Sequence, residues 1–156
     1  MLDRDRRTTG RKAITALSSR NEASADAVRD VRVMVVDDLE SFRRVARTVI
    51  DATPGFKSVP SATSGPEALA SAGALHPDLV LLDIRMPGIG GVQAARSLHE
   101  SHPETVIVLI SLEELPNAAV ALASCGAVAF VRKQDFGTRL LRRLWTIHGS
   151  SRATDN

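Results

Sequence analysis

The chain has 156 residues, with 20 Lys and Arg against 18 Asp and Glu, for a formal net charge of +2. So even a balance gives little electrostatic pull toward nucleic acid, and 3% aromatics with no Tyr leaves few rings for base stacking. No apolar stretch approaches the roughly 20 residues of a membrane span, and the single Cys125 has no partner for an internal disulfide. Composition therefore points to one globular domain in a reducing, cytoplasmic setting.

Residues 1–29 are rich in Arg, Asp, Ser, Thr and Ala, with almost no large apolar side chains after Ile14 and Leu17. Such a segment buries too little to offset its ordering entropy. A mostly disordered extension is expected, with a short helix around residues 11–19. The basic cluster Arg4, Arg6, Arg7, Arg11 and Lys12 is interrupted by Asp3 and Asp5 and reads as solvated charge. From Val31 a repeating grammar begins. Val31 to Val36 reads as a strand. The next stretch places Phe42, Val45, Val49 and Ile50 on one helical face. A weaker strand, Phe56 to Ala62, follows Pro54-Gly55. A second helix runs from about Pro66 to Leu75 and is stopped by His76-Pro77. Leu79 to Leu82 is the third strand, followed by a helix near Val92 to Glu100. Thr105 to Ile110 is the fourth strand, followed by a helix near Pro116 to Ser124. Ala127 to Val131 is the fifth, followed by a helix near Phe136 to Ile147. On that last helix Phe136, Leu140, Leu144 and Ile147 share a face and should be core. Trp145 lies outside it with Arg139, Arg142 and Arg143, a composition suited to a contact surface; the equal alternative is that Trp145, in the last turn, folds back over the domain edge. Strand and helix alternating five times calls for a parallel sheet covered on both faces. The domain is expected over 30–148, with a polar tail over 149–156.

The chemistry-bearing residues all sit just past the ends of strands. Asp37 and Asp38 close the first strand, Asp83 the third, Ser111 the fourth, and Lys133 follows the fifth. In an open parallel sheet those ends are where ligands bind. An Asp-Asp pair after a strand is by itself most often a turn or cap; the register of the other residues is what raises it. Crowded carboxylates repel unless a cation sits among them, and all-oxygen ligands favour Mg²⁺ over zinc. A cation beside an Asp neutralises an incoming phosphoryl group, while a Lys and a hydroxyl hold its other oxygens. The parts for phosphoryl transfer to an aspartate are present. His76, His99, His102 and His148 have no partners at ligand spacing and are expected at the surface. Cys125 is expected to be a small buried side chain.

Residues 31 to about 148 resemble the receiver domain of bacterial two-component response regulators. The resemblance is carried by Val35-Val36-Asp37-Asp38, by Leu81-Leu82-Asp83-Ile84-Arg85-Met86-Pro87-Gly88, by Val108-Leu109-Ile110-Ser111 and by Gly126-Ala127-Val128-Ala129-Phe130-Val131-Arg132-Lys133. Asp83 stands 28 positions before Ser111 and 50 before Lys133, both typical of that family. The resemblance implies a flavodoxin-like fold with strand order 2-1-3-4-5 and five helices. It implies that Asp83 is the phosphoacceptor, that Asp37, Asp38, Asp83 and the backbone carbonyl of Arg85 hold Mg²⁺, and that Lys133 contacts the phosphoryl group. Ser111 would move toward that group, and Phe130 would turn into the space vacated. The implied partners are a sensor histidine kinase or phosphotransfer protein, and a downstream protein or second copy meeting helix four, strand five and helix five. Two positions depart from the pattern. Leu112 stands where the family usually has a small residue and is expected to crowd the pocket. Gly90 stands where it often has Asp or Asn, so the third helix should start with a weaker cap.

A free-standing receiver acting through partners is the leading expectation. The second is the receiver part of a DNA-binding transcription regulator. Only 23 residues follow Lys133, most of them used by the last helix, so no direct nucleic-acid binding is expected from this chain. The third is a degenerate receiver that binds partners without phosphate; intact Asp83 and Lys133 argue against it. A separate enzymatic activity has no second nucleophile to support it.

Overall fold

A computed structural model of the chain describes residues 29–149. Apart from Arg29, the expected N-terminal extension lies outside the described residues, as do the helix expected at 11–19, the basic cluster Arg4 to Lys12 and the tail beyond Gly149. From Val31 the order is β1 (Val31–Val36), α1 (Glu40–Ala52), β2 (Phe56–Ser58), α2 (Gly65–Leu75), β3 (Leu79–Asp83), α3 (Gly90–Ser101), β4 (Val106–Ser111), α4 (Ala118–Cys125), β5 (Ala129–Arg132), a 3-10 turn at Lys133–Asp135, and α5 (Thr138–His148). The strands form one parallel sheet in the order β2-β1-β3-β4-β5. This is the flavodoxin-like topology.

The period-2 alternation of the strands divides the core in two. Met34, Val36, Val80, Leu82, Ile107 and Leu109 face one side, where they meet Ala68 and Ala72 of α2, Ala94, Ala95 and Leu98 of α3, and Cys125 of α4. Val33, Val35, Leu79, Leu81, Val106, Val108 and Ile110 face the other, against Ala46 and Ile50 of α1 and Leu141 and Leu144 of α5. A central strand covered on both faces reads as an unbroken apolar run, and β3 is buried along its whole length.

Local signals set the helix ends. Ser64 caps α2 by accepting from Glu67 N–H at 3.2 Å, which satisfies one orphan donor of the first turn, and Glu67 reaches back to accept from Thr63 N–H, just ahead of the cap, at 3.0 Å. α3 has no side-chain cap, in line with Gly90. It starts so close behind β3 that a Cβ on Gly91 would lie 2.2 Å from the Asp83 carbonyl oxygen, so only glycine fits there.

Several expectations are corrected. β2 ends at Ser58, and Val36 and Ala62 form an isolated parallel bridge beyond it. Pro60 lies in the gap and has no N–H to give a ladder. On α1, Val45 is 57% exposed and Ala46 takes the buried position. α4 begins at Ala118, after Asn117 adopts a left-handed conformation at φ 60°, and α5 begins at Thr138. Its buried stripe is Leu141 and Leu144, with Trp145 packed against the same cluster, while Ile147 is 54% exposed. The sequence permits either phase because Leu140 and Leu141 are adjacent. Trp145 therefore does not stand out with the arginines: a Cβ on Gly149 would meet its indole at 2.4 Å. His99 is not a free surface histidine either. Its ring lies over Gly126 so closely that a Cβ there would be 2.3 Å away, and its Nδ1 is buried without a hydrogen-bond partner.

Candidate functional site

Register brings the strand ends together. Val36 pairs with Leu82 and Asp83 with Ile110, so Asp37, one residue past β1, comes level with Asp83 at the end of β3. Ser111 closes β4 beside Arg132 of β5, which leads directly into Lys133. One ligand oxygen from each of Asp37, Asp38 and Asp83 lies within 4.8 Å of the others. Asp37 is fully buried and Asp83 is 4% exposed, while Asp38 is exposed.

Each carboxylate is held from one side. Asp37 Oδ1 accepts from Leu39 N–H at 3.0 Å, and the Asp37 carbonyl accepts from the Arg43 guanidinium at 2.8 Å. Asp83 Oδ1 accepts a long bond from Arg85 N–H at 3.3 Å. Lys133, whose side chain is 5% exposed, places Nζ 2.6 Å from Asp37 Oδ2 and 3.6 Å from Asp83 Oδ2. Burial pushes the Asp83 carboxyl up to about 6, with the Asp37 charge adding to the rise and Lys133 opposing it. A carboxylate pair with more negative charge than one lysine neutralises, joined by Asp38 with one oxygen from each within 4.8 Å of the others, is a donor set that fits a hard divalent cation. No His or Cys belongs to the cluster.

Asp38, Leu39, Asp83, Arg85, Ser111, Leu112, Glu113 and Lys133 line a pocket of ≈ 180 Å³. Ser111 is 5% exposed, and its Oγ accepts from Glu113 N–H at 3.3 Å. Leu112 is on the rim, 63% exposed. Phe130 is not in this pocket. It packs against the first core cluster and lines a separate groove of ≈ 470 Å³ with Glu114, Leu115, Val131, Arg132, Asp135 and Leu140. Two features were not legible beforehand. Arg85 and Glu113 form an exposed ion pair at 2.9 Å between two residues of the pocket lining, and the Phe42 ring lies 4.7 Å below the Lys133 ammonium. Neither pair has any sequence signal, because each joins loops or elements far apart in the chain.

Residues 33–144 match the family model described as the response regulator receiver domain. The chain belongs to the response-regulator receiver family. This receiver is 38% identical over 103 residues to the response regulator GacA of Pseudomonas viridiflava, covering 66% of this chain and 48% of that protein. It is 38% identical over 107 residues to the protein-glutamate methylesterase/protein-glutamine glutaminase of Thermotoga maritima, covering 67% of this chain and 31% of that one. The receiver thus spans half or less of the length of these relatives. Among solved structures, the response regulator domain of Thermotoga maritima CheB superposes with a TM-score of 0.66 at 30% identity, over 76% of this chain and 96% of that one. Receivers of this family are phosphorylated on an Asp by histidine kinases and bind Mg²⁺ in an acidic pocket. None of the described helices is long and apolar enough to cross a membrane.

Proposed function

We propose that this receiver takes a phosphoryl group on Asp83 from the phosphohistidine of a sensor histidine kinase or a phosphotransfer protein, with Mg²⁺ held by Asp37, Asp38, Asp83 and the backbone carbonyl of Arg85. The observation that carries the reading is the meeting of three carboxylates and one nearly buried ammonium at adjacent strand ends, around a pocket wide enough for a small anion. Mg²⁺, when bound, supplies the charge neutralisation that lets an anionic phosphoryl group approach a carboxylate. The protein's own groups do the rest. An Asp83 oxygen bonds to phosphorus as the N–P bond of the phosphohistidine breaks, and the electron pair of that bond stays on the imidazole. Lys133 holds one phosphoryl oxygen as a point charge. Ser111 Oγ, which already accepts from Glu113 N–H, has its own proton to donate to another.

The output follows from what those contacts displace. As Ser111 moves toward the phosphoryl group, Phe130 turns inward, which reshapes the groove it lines with Glu114 and Leu115 of the loop before α4, Arg132 of β5 and Leu140 of α5. That face then meets a downstream protein or a second copy. The only bond-making is on Asp83 itself, in a cytoplasmic signalling protein whose receiver occupies 30–148, flanked by the extension over 1–29 and the tail over 149–156. The competing reading of a phosphate-independent module draws on Leu112, but that side chain stands mostly in solvent on the rim, which leaves the pocket volume to the anion.

The test is incubation of the full chain with a small phosphodonor and Mg²⁺, followed by intact mass. One acid-labile phosphoryl group is expected, and none in Asp83→Asn, whose amide is a poor nucleophile. Label persisting in that variant would place the acceptor elsewhere.

A further inference from the structure

Lys133 is the one cation among the described residues that reaches the carboxylate cluster, and its surroundings raise a question of balance. A nearly buried ammonium must keep partners. Those it has are Asp37 Oδ2 at 2.6 Å, Asp83 Oδ2 at 3.6 Å and the Phe42 ring, whose centroid lies 4.7 Å from Nζ. Both carboxylates are the ones a divalent cation would take, and that cation would repel the ammonium. Phe42 is then the partner left unchanged. The face of an aromatic ring attracts a cation through its quadrupole, does not compete for metal and carries no charge to be neutralised.

The ring is also well placed to act as a fixed support. Phe42 lies in the first turn of α1, four residues after Asp38, so it is tied to the same segment as the acidic pair. It packs on one side against the second core cluster, and on the other lines a groove with Leu39, Ser41, Val45, Leu112 and Lys133. We propose that Phe42 is a positioning residue for Lys133: its ring face keeps the ammonium over the pocket once a cation occupies the carboxylates, so that Lys133 stays poised for a phosphoryl oxygen. The proposal rests on the assignment of Lys133 to the phosphoryl group, and the experiment separates the two.

The probe is beryllium fluoride, a phosphoryl mimic, bound to the full chain in the presence of Mg²⁺, with Mg²⁺ affinity and thermal stability measured alongside. Phe42→Leu keeps an apolar side chain and removes the quadrupole; Phe42→Tyr keeps both. Phe42→Leu is expected to weaken beryllium fluoride binding about five- to tenfold, equivalent to roughly 1–1.4 kcal/mol, with Mg²⁺ affinity within about twofold of wild type. Phe42→Tyr should restore binding to within about twofold. In a Lys133→Met background, Phe42→Leu should have no further effect, which a purely structural role would not produce. Should Phe42→Leu fold poorly, Phe42→Met, which is apolar and likewise lacks an aromatic ring, makes the same comparison. Wild-type affinity in the Leu variant, or equal losses in the Leu and Tyr variants, overturns the positioning role while leaving Lys133 in place. Full affinity in Lys133→Met overturns both.

Discussion

Burial and the neighbouring Asp37 carboxylate raise Asp83 from an ordinary 3.8 to about 6, and this has a measurable cost in the metal-free protein. A carboxyl whose folded value is raised binds its proton more tightly in the native state. Its contribution is therefore greatest below pH 4 and is lost as pH rises toward 6. In the presence of a chelator, stability should fall across that window. Asp83→Asn, which cannot ionise, should be more stable than wild type by about 1–2 kcal/mol at neutral pH, the full effect being reduced by water in the open pocket. Urea titrations at pH 4 and pH 7.5 check this; a variant less stable than wild type at pH 7.5 would mean that Asp83 is stabilising as a charge. Leu112 belongs to the same scale. It is exposed on the rim, so Leu112→Ala should change stability by less than about 0.5 kcal/mol. It should nonetheless speed both phosphorylation by small donors and loss of the phosphoryl group. If both rates stay within about twofold, a barrier change of roughly 0.4 kcal/mol, the leucine does not gate the pocket.

Single elements carry their own tests. The Ser64 cap and its Glu67 counterpart hold the start of α2, and neither residue lines the pocket that holds Asp83. Ser64→Ala should cost about 1 kcal/mol and leave phosphorylation unchanged, which stopped-flow or mass measurements on the same preparation would show. At the other end of the domain, α5 is fixed by its buried leucines and by Trp145, half-buried against the core and against Gly149. Trp145→Ala should cost about 2 kcal/mol, below the roughly 3–5 of a fully buried aromatic, and the native emission should be blue-shifted from that of free indole. Emission at the fully solvated wavelength with unchanged stability would return Trp145 to the surface. The phase of this helix shows how an element can be foreseen while its face is not. Leu140 and Leu141 offer two stripes, and packing against the second core cluster chooses Leu141 and Leu144.

At the scale of the whole molecule, the carboxylate cluster couples to global stability because β1, β3 and the turn after β5 must all be in register for it to exist. A cation that binds only the native cluster stabilises by mass action, about 1.4 kcal/mol for each tenfold rise above its dissociation constant. Mg²⁺ should therefore raise the melting temperature, and Asp38→Ala should abolish the effect without unfolding the protein, since Asp38 is exposed. Equal stabilisation of that variant would remove Asp38 from the ligands. The alternation of apolar runs and amphipathic stretches was enough to read strand number, helix number and a parallel sheet, because side-chain period reports burial directly. That Asp37, Asp38, Asp83, Ser111 and Lys133 would meet was legible for a related reason: a parallel sheet puts every strand's C-terminal end at one edge, so position along each strand translates into position in space. Packing decided what no single stretch encodes. Val45 and Ile147 went to solvent because Ala46 and Leu141 took the core positions, and β2 ended at Ser58, two residues before Pro60, which has no N–H. The Arg85–Glu113 pair and the Phe42 ring beneath Lys133 join residues 28 and 91 positions apart. Such contacts depend on the distances between elements, which local periodicity does not contain and only the assembled sheet and its helices define.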